Sequence, residues 1–307
     1  MKTLIRIGTR ESQLATWQAS LVQQLFSEQG QEAVLVLIKS QGDIDLKTPL
    51  YEMGVQGIFT RSLDIALLEN RCDIAVHSMK DVPTQLPLGI VQAAVLKRGP
   101  VNDLLVYKKD TEFLNSINDL ANIATSSIRR KAQWLNRYPH HFIHNLRGNV
   151  NSRLRKLSVE SWDAAIFAQA GLERINLRPE KSMVLEWMLP APAQGAIVVV
   201  CRKGDDSIFE SCSRFNDLNT ELCTKTERDF QHALAGGCSK PISALAEIKA
   251  GKLHFRGNIF STDGQQKACI EKETAINDTD ELGSRAALEL LQNGGKEIAD
   301  HIEHAAQ

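Results

Sequence analysis

Short apolar runs alternate with stretches of helical period along most of this chain of 307 residues, and that alternation limits the folds open to it. "TLIRIG" reads as a strand, after which Leu14, Trp17, Leu21, Val22 and Leu25 recur at helical spacing. "EAVLVLIK" is a second strand, "FTRSLDIALLENR" a helix, and "CDIAVHS" a buried strand, apolar nearly throughout. Strand, helix and strand in this order predict a parallel α/β sheet with helices against it.

The pattern restarts after "KRGPVNDLLVYKK". "NIATSS", "HFIHNL" and "DAAIFA" read as strands, separated by the helical stretches "IRRKAQWLNRY" and "VNSRLRKLSVE". "LPAPAQGAIVVVCR" then supplies another all-apolar strand. From about residue 219 the style changes to one helix, two strands ("ISALAEIKAG" and "KLHFRGNIFST") and a last helix over about 279–293, an α+β tail. The expected fold class is α/β, with two doubly wound lobes followed by a C-terminal α+β domain.

Charge excludes some functions. With 36 basic and 37 acidic side chains the net charge is -1, so nothing draws the whole chain to nucleic acid or to acidic membranes. Any hold on an anion must be local. The opening "MKTLIRIGTRES" has too short an apolar run for a signal peptide, and no later stretch approaches a membrane span, so a cytoplasmic protein is expected. The six cysteines (72, 201, 212, 223, 238 and 269) contain no C-x-x-C pair, which indicates neither zinc nor a disulfide framework.

Three local features point to chemistry. The apolar run "CDIAV" ends in "HSMKDVP", which gathers His77, Ser78, Lys80 and Asp81 where a buried strand leaves the core, and buried charges need partners. "IRIGTRES" and "NIATSSIRR" form a faint internal repeat of strand, Thr, Ser and Arg, then amphipathic helix. Ser12 and Ser126 thus fall beside helix N-termini, where unpaired N–H groups favour anions. Capping alone explains the hydroxyls, but not the arginines. Arg10, Arg129, Arg130, Arg147 and Arg153 all lie at strand ends or first helical turns, whereas Arg137, Arg155 and Lys156 fit a solvated face. Converging arginines imply a ligand with several carboxylates or phosphates. Finally, "LAGGCSKPI" puts Cys238 in a glycine loop just past a helix, and an arginine-lined cleft would supply the positive field that thiolate chemistry needs.

"GTRES", "DIAVHSMKDVP", "ATSSIRR", "LRGNVNSRLRKL", "PAPAQGA" and "GGCSKPI" stand in the order and spacing of the hydroxymethylbilane synthase (porphobilinogen deaminase) family, which the chain resembles over nearly its whole length. The resemblance implies a three-domain transferase of tetrapyrrole biosynthesis whose first two domains are similar to type II periplasmic binding proteins. The implied division is 1–97 with 196–217 for the first lobe, 98–195 for the second, and 218–307 for the domain carrying the cysteine. The implied reaction joins four porphobilinogen units head to tail, releasing ammonia each time. Its primer is a dipyrromethane cofactor held by a thioether, here to Cys238. A six-ring chain on the enzyme carries about twelve carboxylates, which accounts for the arginines.

By the same resemblance Asp81 is the catalytic acid, its carboxylate stabilising positive charge on the reacting pyrrole. Lys80, Ser126, Arg129 and Arg130 are expected at the cofactor. Arg10, Ser12, Arg147, Arg153 and Gln194 are expected at the substrate and growing pyrrole chain. His77 and Ser78 support the turn. The implied protein is a monomer that passes its product to a downstream tetrapyrrole enzyme, with no nucleic-acid, membrane or metal partner. The chain departs from the family pattern at Glu52 and Gln56, where basic residues are usual in a lid segment, at Ala193 and Ser243 in place of glycine, and at Val200 in place of glutamate. The rival readings are a non-catalytic dicarboxylate-binding protein of the same two-lobed fold, and an enzyme of phosphorylated substrates. The Gly-Gly-Cys loop argues against the first, and the lack of a P-loop against the second.

Overall fold

A computed structural model describes residues 4–40, 60–234 and 240–304. The chain opens with β1 (Ile5–Thr9), α1 (Gln13–Glu28), β2 (Ala33–Leu37), α2 (Arg61–Leu68), β3 (Ile74–Ser78) and β4 (Ile90–Val95). It continues with β5 (Asp103–Tyr107), β6 (Asn122–Ala124), α3 (Ile128–Arg137), β7 (Phe142–His144), α4 (Val150–Val159), β8 (Ala164–Ala168), α5 (Gln169–Glu173) and β9 (Ser182–Val184). β10 (Ile197–Arg202) and α6 (Asp206–Ser213) follow.

These strands build two five-stranded sheets of one design, ordered β2-β1-β3-β10-β4 and β7-β6-β8-β5-β9. The faint repeat in the sequence is therefore a structural one, with β1 equivalent to β6 and α1 to α3. Each sheet is mixed rather than wholly parallel, because β10 runs antiparallel to β3 and β4, and β5 antiparallel to β8 and β9. The cause is connectivity. β10 joins the first sheet only after the chain has built the second, and β5 enters the second directly from β4. An apolar run marks a buried strand but carries no sign of its direction.

Side chains on each sheet alternate between two cores. Ile74 and Val76 of β3 pack with Phe26 of α1, and Ala75 packs with Leu63 and Leu67 of α2 on the other face. The two connections between sheets touch where Gly99 N donates to Gly195 O at 3.0 Å. Gly195 has φ +87°, and a Cβ there would lie 2.7 Å from the main-chain oxygens of Gly99 and Pro100. Only glycine permits that approach.

The remainder of the chain is α7 (Leu218–Ala233), an antiparallel sheet of β11 (Ile242–Lys249), β12 (Lys252–Phe260) and β13 (Lys267–Ala275), then α8 (Leu282–Leu290) and α9 (Lys296–His304). Phe230, Phe255, Leu253 and Leu290 lie in its core. The expected tail lacked β13 and α9. β13 buries only Ala268 and Ile270 between charged neighbours, a weak apolar signal. Gly294, with φ +92°, ends the preceding helix and lets α9 begin.

Candidate active site

The turns that follow β1, β3, β6 and β7 carry the candidate residues. Ser12 caps α1, its Oγ accepting from Ala15 N at 3.4 Å. In the second sheet the cap of α3 is Ser127, which accepts from Arg130 N. Its neighbour Ser126 instead donates to Asn145 Oδ1 and accepts from Leu146 N, tying the ends of β6 and β7 together. Both serines named from the sequence thus shape their turns. Gly148, with φ +110°, turns the chain between Arg147 and the cap of α4, Asn149.

Arg129 and Arg130 are buried and share one fully buried acid, Asp103 at the start of β5. Arg129 Nη2 lies 2.6 Å from Asp103 Oδ2, and Arg130 Nη2 lies 2.7 Å from Oδ1. Burial would raise the Asp103 carboxyl, but the two guanidinium groups outweigh it and hold it well below the usual carboxylate range. Gln194, also buried, donates from Nε2 to Asp103 Oδ1 at 2.9 Å and accepts from Lys80 Nζ at 3.2 Å. It acts as a connector between the arginine pair and the Lys80–Asp81 turn. Burial lowers the Lys80 amine to about 8, against the attraction of Asp81.

The first and second sheets meet electrostatically at Arg153. Burial lowers its guanidinium to about 10; Arg130, Arg147 and Arg10 push the same way, and Asp81 opposes them. Asp81 and Arg10 come from turns of the first sheet, and the other three arginines from the second. Arg153 Nε is buried with no hydrogen-bond partner among the described residues. His77 is buried in β3 and kept neutral at ordinary pH, burial and then Arg10 lowering it to about 4. Ser78 accepts from Gln18 Nε2 at 2.8 Å. Ser78 thus ties the end of β3 to α1.

A family model described as "Porphobilinogen deaminase, dipyromethane cofactor binding domain" matches residues 5–210. The chain belongs to the porphobilinogen deaminase family. The C-terminal domain model of the same family matches residues 221–292. A porphobilinogen deaminase of Chlorobium phaeobacteroides (strain BS1) is 39% identical over 310 residues, covering 98% of this chain and 99% of the relative. Among solved structures, the periplasmic VFT2 domain of BvgS from Bordetella pertussis aligns with TM-score 0.42 and 11% identity, over 69% of this chain and 86% of that one. A probable amino-acid ABC transporter extracellular-binding protein from Bacillus subtilis aligns with TM-score 0.40 and 12% identity, over 70% and 90%. As a porphobilinogen deaminase the chain is a transferase, polymerising four porphobilinogen molecules into hydroxymethylbilane with release of ammonia, on a dipyrromethane primer.

The residues present fit that primer. Its acetates and propionates match the gathered Arg10, Arg130, Arg147 and Arg153, of which Arg153 Nε has no partner among the described residues. Cys238, Glu52 and Gln56 lie outside the described residues. Of the other departures from the porphobilinogen deaminase pattern, Ala193 takes the left-handed φ of +60° that favours glycine. Ser243 Oγ accepts from Gln133 Nε2 of α3 at 3.0 Å, and Val200 is buried in β10. Among the described residues no helix is long and apolar enough to cross a membrane, and no group of three His, Cys, Asp or Glu side chains is placed to hold a metal ion.

Asp103, Arg98, Glu227 and Arg228 were absent from the sequence expectations. A signal exists for Asp103, an acid heading the buried run "DLLVY", given two adjacent arginines that need a counter-charge.

Proposed function

We propose that Asp81 is the catalytic acid of this transferase and that Cys238 holds the primer through a thioether. The observation that carries the reading is Asp81's place in the turn after β3, beside Lys80, which Gln194 links to the Asp103 carboxylate and its two arginines. In each cycle the aminomethyl C–N bond of porphobilinogen breaks, ammonia leaving with the electron pair, and the methylene carbon bonds to the free α-carbon of the acceptor pyrrole, whose C–H bond then breaks to release a proton. The pyrrole is left electron-poor, and the carboxylate of Asp81 stabilises the positive charge as it develops. When bound, the dipyrromethane supplies the nucleophilic α-carbon that receives the first unit.

Arg129, Arg130, Lys80 and Ser126 serve the primer. Arg130 is braced by Asp103 and by Ile166 O, and Lys80 is held through Gln194. Arg10, Arg147 and Arg153 hold the carboxylates of the incoming substrate and growing chain, with Ser12 shaping the turn beside Arg10. Gln194 serves the substrate side indirectly, by setting Lys80. Residues 1–97 with 196–217, 98–195 and 218–307 are the three domains, a division supported by β10 returning to the first sheet. The protein works in the cytoplasm as a monomer and passes hydroxymethylbilane, a linear product, to the next tetrapyrrole enzyme.

Mass spectrometry of the denatured protein tests the primer assignment, because a thioether survives unfolding and a bound solute does not. The expected mass exceeds that of the sequence by two linked pyrrole units, mapped to the Cys238 peptide, and Cys238→Ser loses both adduct and activity. An unmodified mass in fully active protein overturns the assignment.

A further inference from the structure

The guanidinium of Arg228 closes over the turn that presents Asp81. Nη1 donates to Val82 O at 2.9 Å and to Met79 O at 3.4 Å, and Nη2 donates to Pro83 O at 2.5 Å. The three acceptors span residues 79–83, a window centred on Asp81. They belong to the turn that follows β3 of the first sheet, whereas Arg228 lies on α7, far along the chain. Three carbonyl dipoles converging on one planar fork fix the path of the main chain on both sides of the acid.

Arg228 is itself anchored. The preceding residue, Glu227, is fully buried and accepts from Arg98, from Ala193 N at 2.6 Å and from Ala246 N at 2.7 Å, so α7 is held at this point by three separate segments. The turn has internal support too, since Met79 N donates to Ala196 O and Val82 N to Met79 O. Those bonds fix residues 79 and 82, and Arg228 adds the carbonyl side through to Pro83. Side chains that act in catalysis lose rate steeply when their support loosens, and a misplacement of about 1 Å costs on the order of 100-fold.

We propose that Arg228 is a positioning residue for the reaction: it clamps the 79–83 turn so that the Asp81 carboxylate is held where charge develops on the pyrrole. The proposal rests on the reading of Asp81 as the catalytic acid. It commits Arg228 to act through Asp81 and not on substrate carboxylates, which sets it apart from the arginines of the cleft.

Kinetics on primer-loaded enzyme, with the Cys238 adduct verified by mass, test it. Arg228→Leu is expected to lower kcat by about 10- to 100-fold with KM changed by less than about threefold. In single-turnover elongation, Arg228→Leu added to Asp81→Ala is expected to cost no more than about a further twofold, since the acid it positions is already gone. A kcat for Arg228→Leu within about threefold of wild type overturns the proposal, as does a full multiplicative loss in the Asp81→Ala background. Should Arg228→Leu not fold, the same cycle is run on Arg228→Lys, whose ammonium does not span three carbonyls. An expected fall of about 3- to 10-fold in kcat at constant KM supports the clamp, and an unchanged kcat overturns it. Asp81→Ala alone separates the two readings: near wild-type activity removes the acid assignment, whereas a crippled Asp81→Ala with a multiplicative cycle removes only the positioning role.

Discussion

Arg98 grips Glu227 at two points inside the protein, Nη1 to Oε1 at 2.6 Å and Nη2 to Oε2 at 2.9 Å. Glu227 is fully buried, and its oxygens also receive the main-chain N–H groups of Ala193 and Ala246. One carboxylate thereby joins both connections between the sheets to α7 and β11. Removing one partner of such a pair leaves the other charge buried and alone, at a cost of about 3–5 kcal/mol. Glu227→Ala is expected to lower the thermal midpoint by about 5–15 °C, measured by calorimetry. A change of less than about 2 °C would mean that Arg98 finds another partner.

The connections themselves give opposite expectations at two nearby positions. Gly195→Ala places a methyl against two main-chain oxygens at 2.7 Å, in a left-handed conformation. Strain and overpacking together are expected to cost about 2–5 kcal/mol in urea unfolding. Ala193 already occupies that conformation, with φ +60°. Ala193→Gly relieves the backbone at the loss of one buried methyl, and is expected to stabilise by up to about 1 kcal/mol.

Much of this arrangement was legible in the sequence. The apolar runs located nine of the strands but not β4, β5, β9 or β13, and "TRES" and "TSSIRR" located the two equivalent turns, because helix starts need caps and clustered arginines need anions. The reversal of β5 and β10 was not legible, since direction depends on where the chain has already been. Nor were Asp103 and Glu227 assigned. Their partners lie 26 and 129 residues away, so only the place of Asp103 at the head of a buried apolar run hints at its role, and nothing local marks Glu227.

Asp103 carries the charge balance of the buried pair Arg129 and Arg130. Asp103→Asn leaves Arg129 and Arg130 buried side by side without a counter-charge, and is expected to destabilise by about 3–5 kcal/mol. Arg130→Leu removes one cation and keeps the pairing of Asp103 with Arg129. It is therefore expected to fold but to load primer poorly, whereas Arg147→Leu loads primer and elongates slowly. Intact mass under denaturing conditions measures the loaded fraction of each variant. Full loading of Arg130→Leu would move that arginine to the substrate side.

His77 makes stability depend on acid. Burial, with Arg10 adding to it, lowers its folded value to about 4 from an ordinary 6.5. The unfolded chain binds the proton first, so the contribution of His77 is complete above pH 6.5 and is lost as pH falls through about 4. The unfolding free energies of wild type and His77→Gln are expected to converge by up to about 3 kcal/mol over that window. A constant difference across it would mean that the ring is already charged in the folded protein.

Steady-state turnover of Asp81→Ala, on protein whose Cys238 adduct and thermal midpoint match wild type, tests the catalytic assignment most directly. A carboxylate that stabilises developing charge in a site shielded from water contributes about 3–4 kcal/mol, so kcat is expected to fall by about 100- to 1,000-fold, with Asp81→Glu retaining more activity than Asp81→Ala. Turnover of Asp81→Ala within about tenfold of wild type would contradict the assignment and return the acid's role to another residue of the cleft.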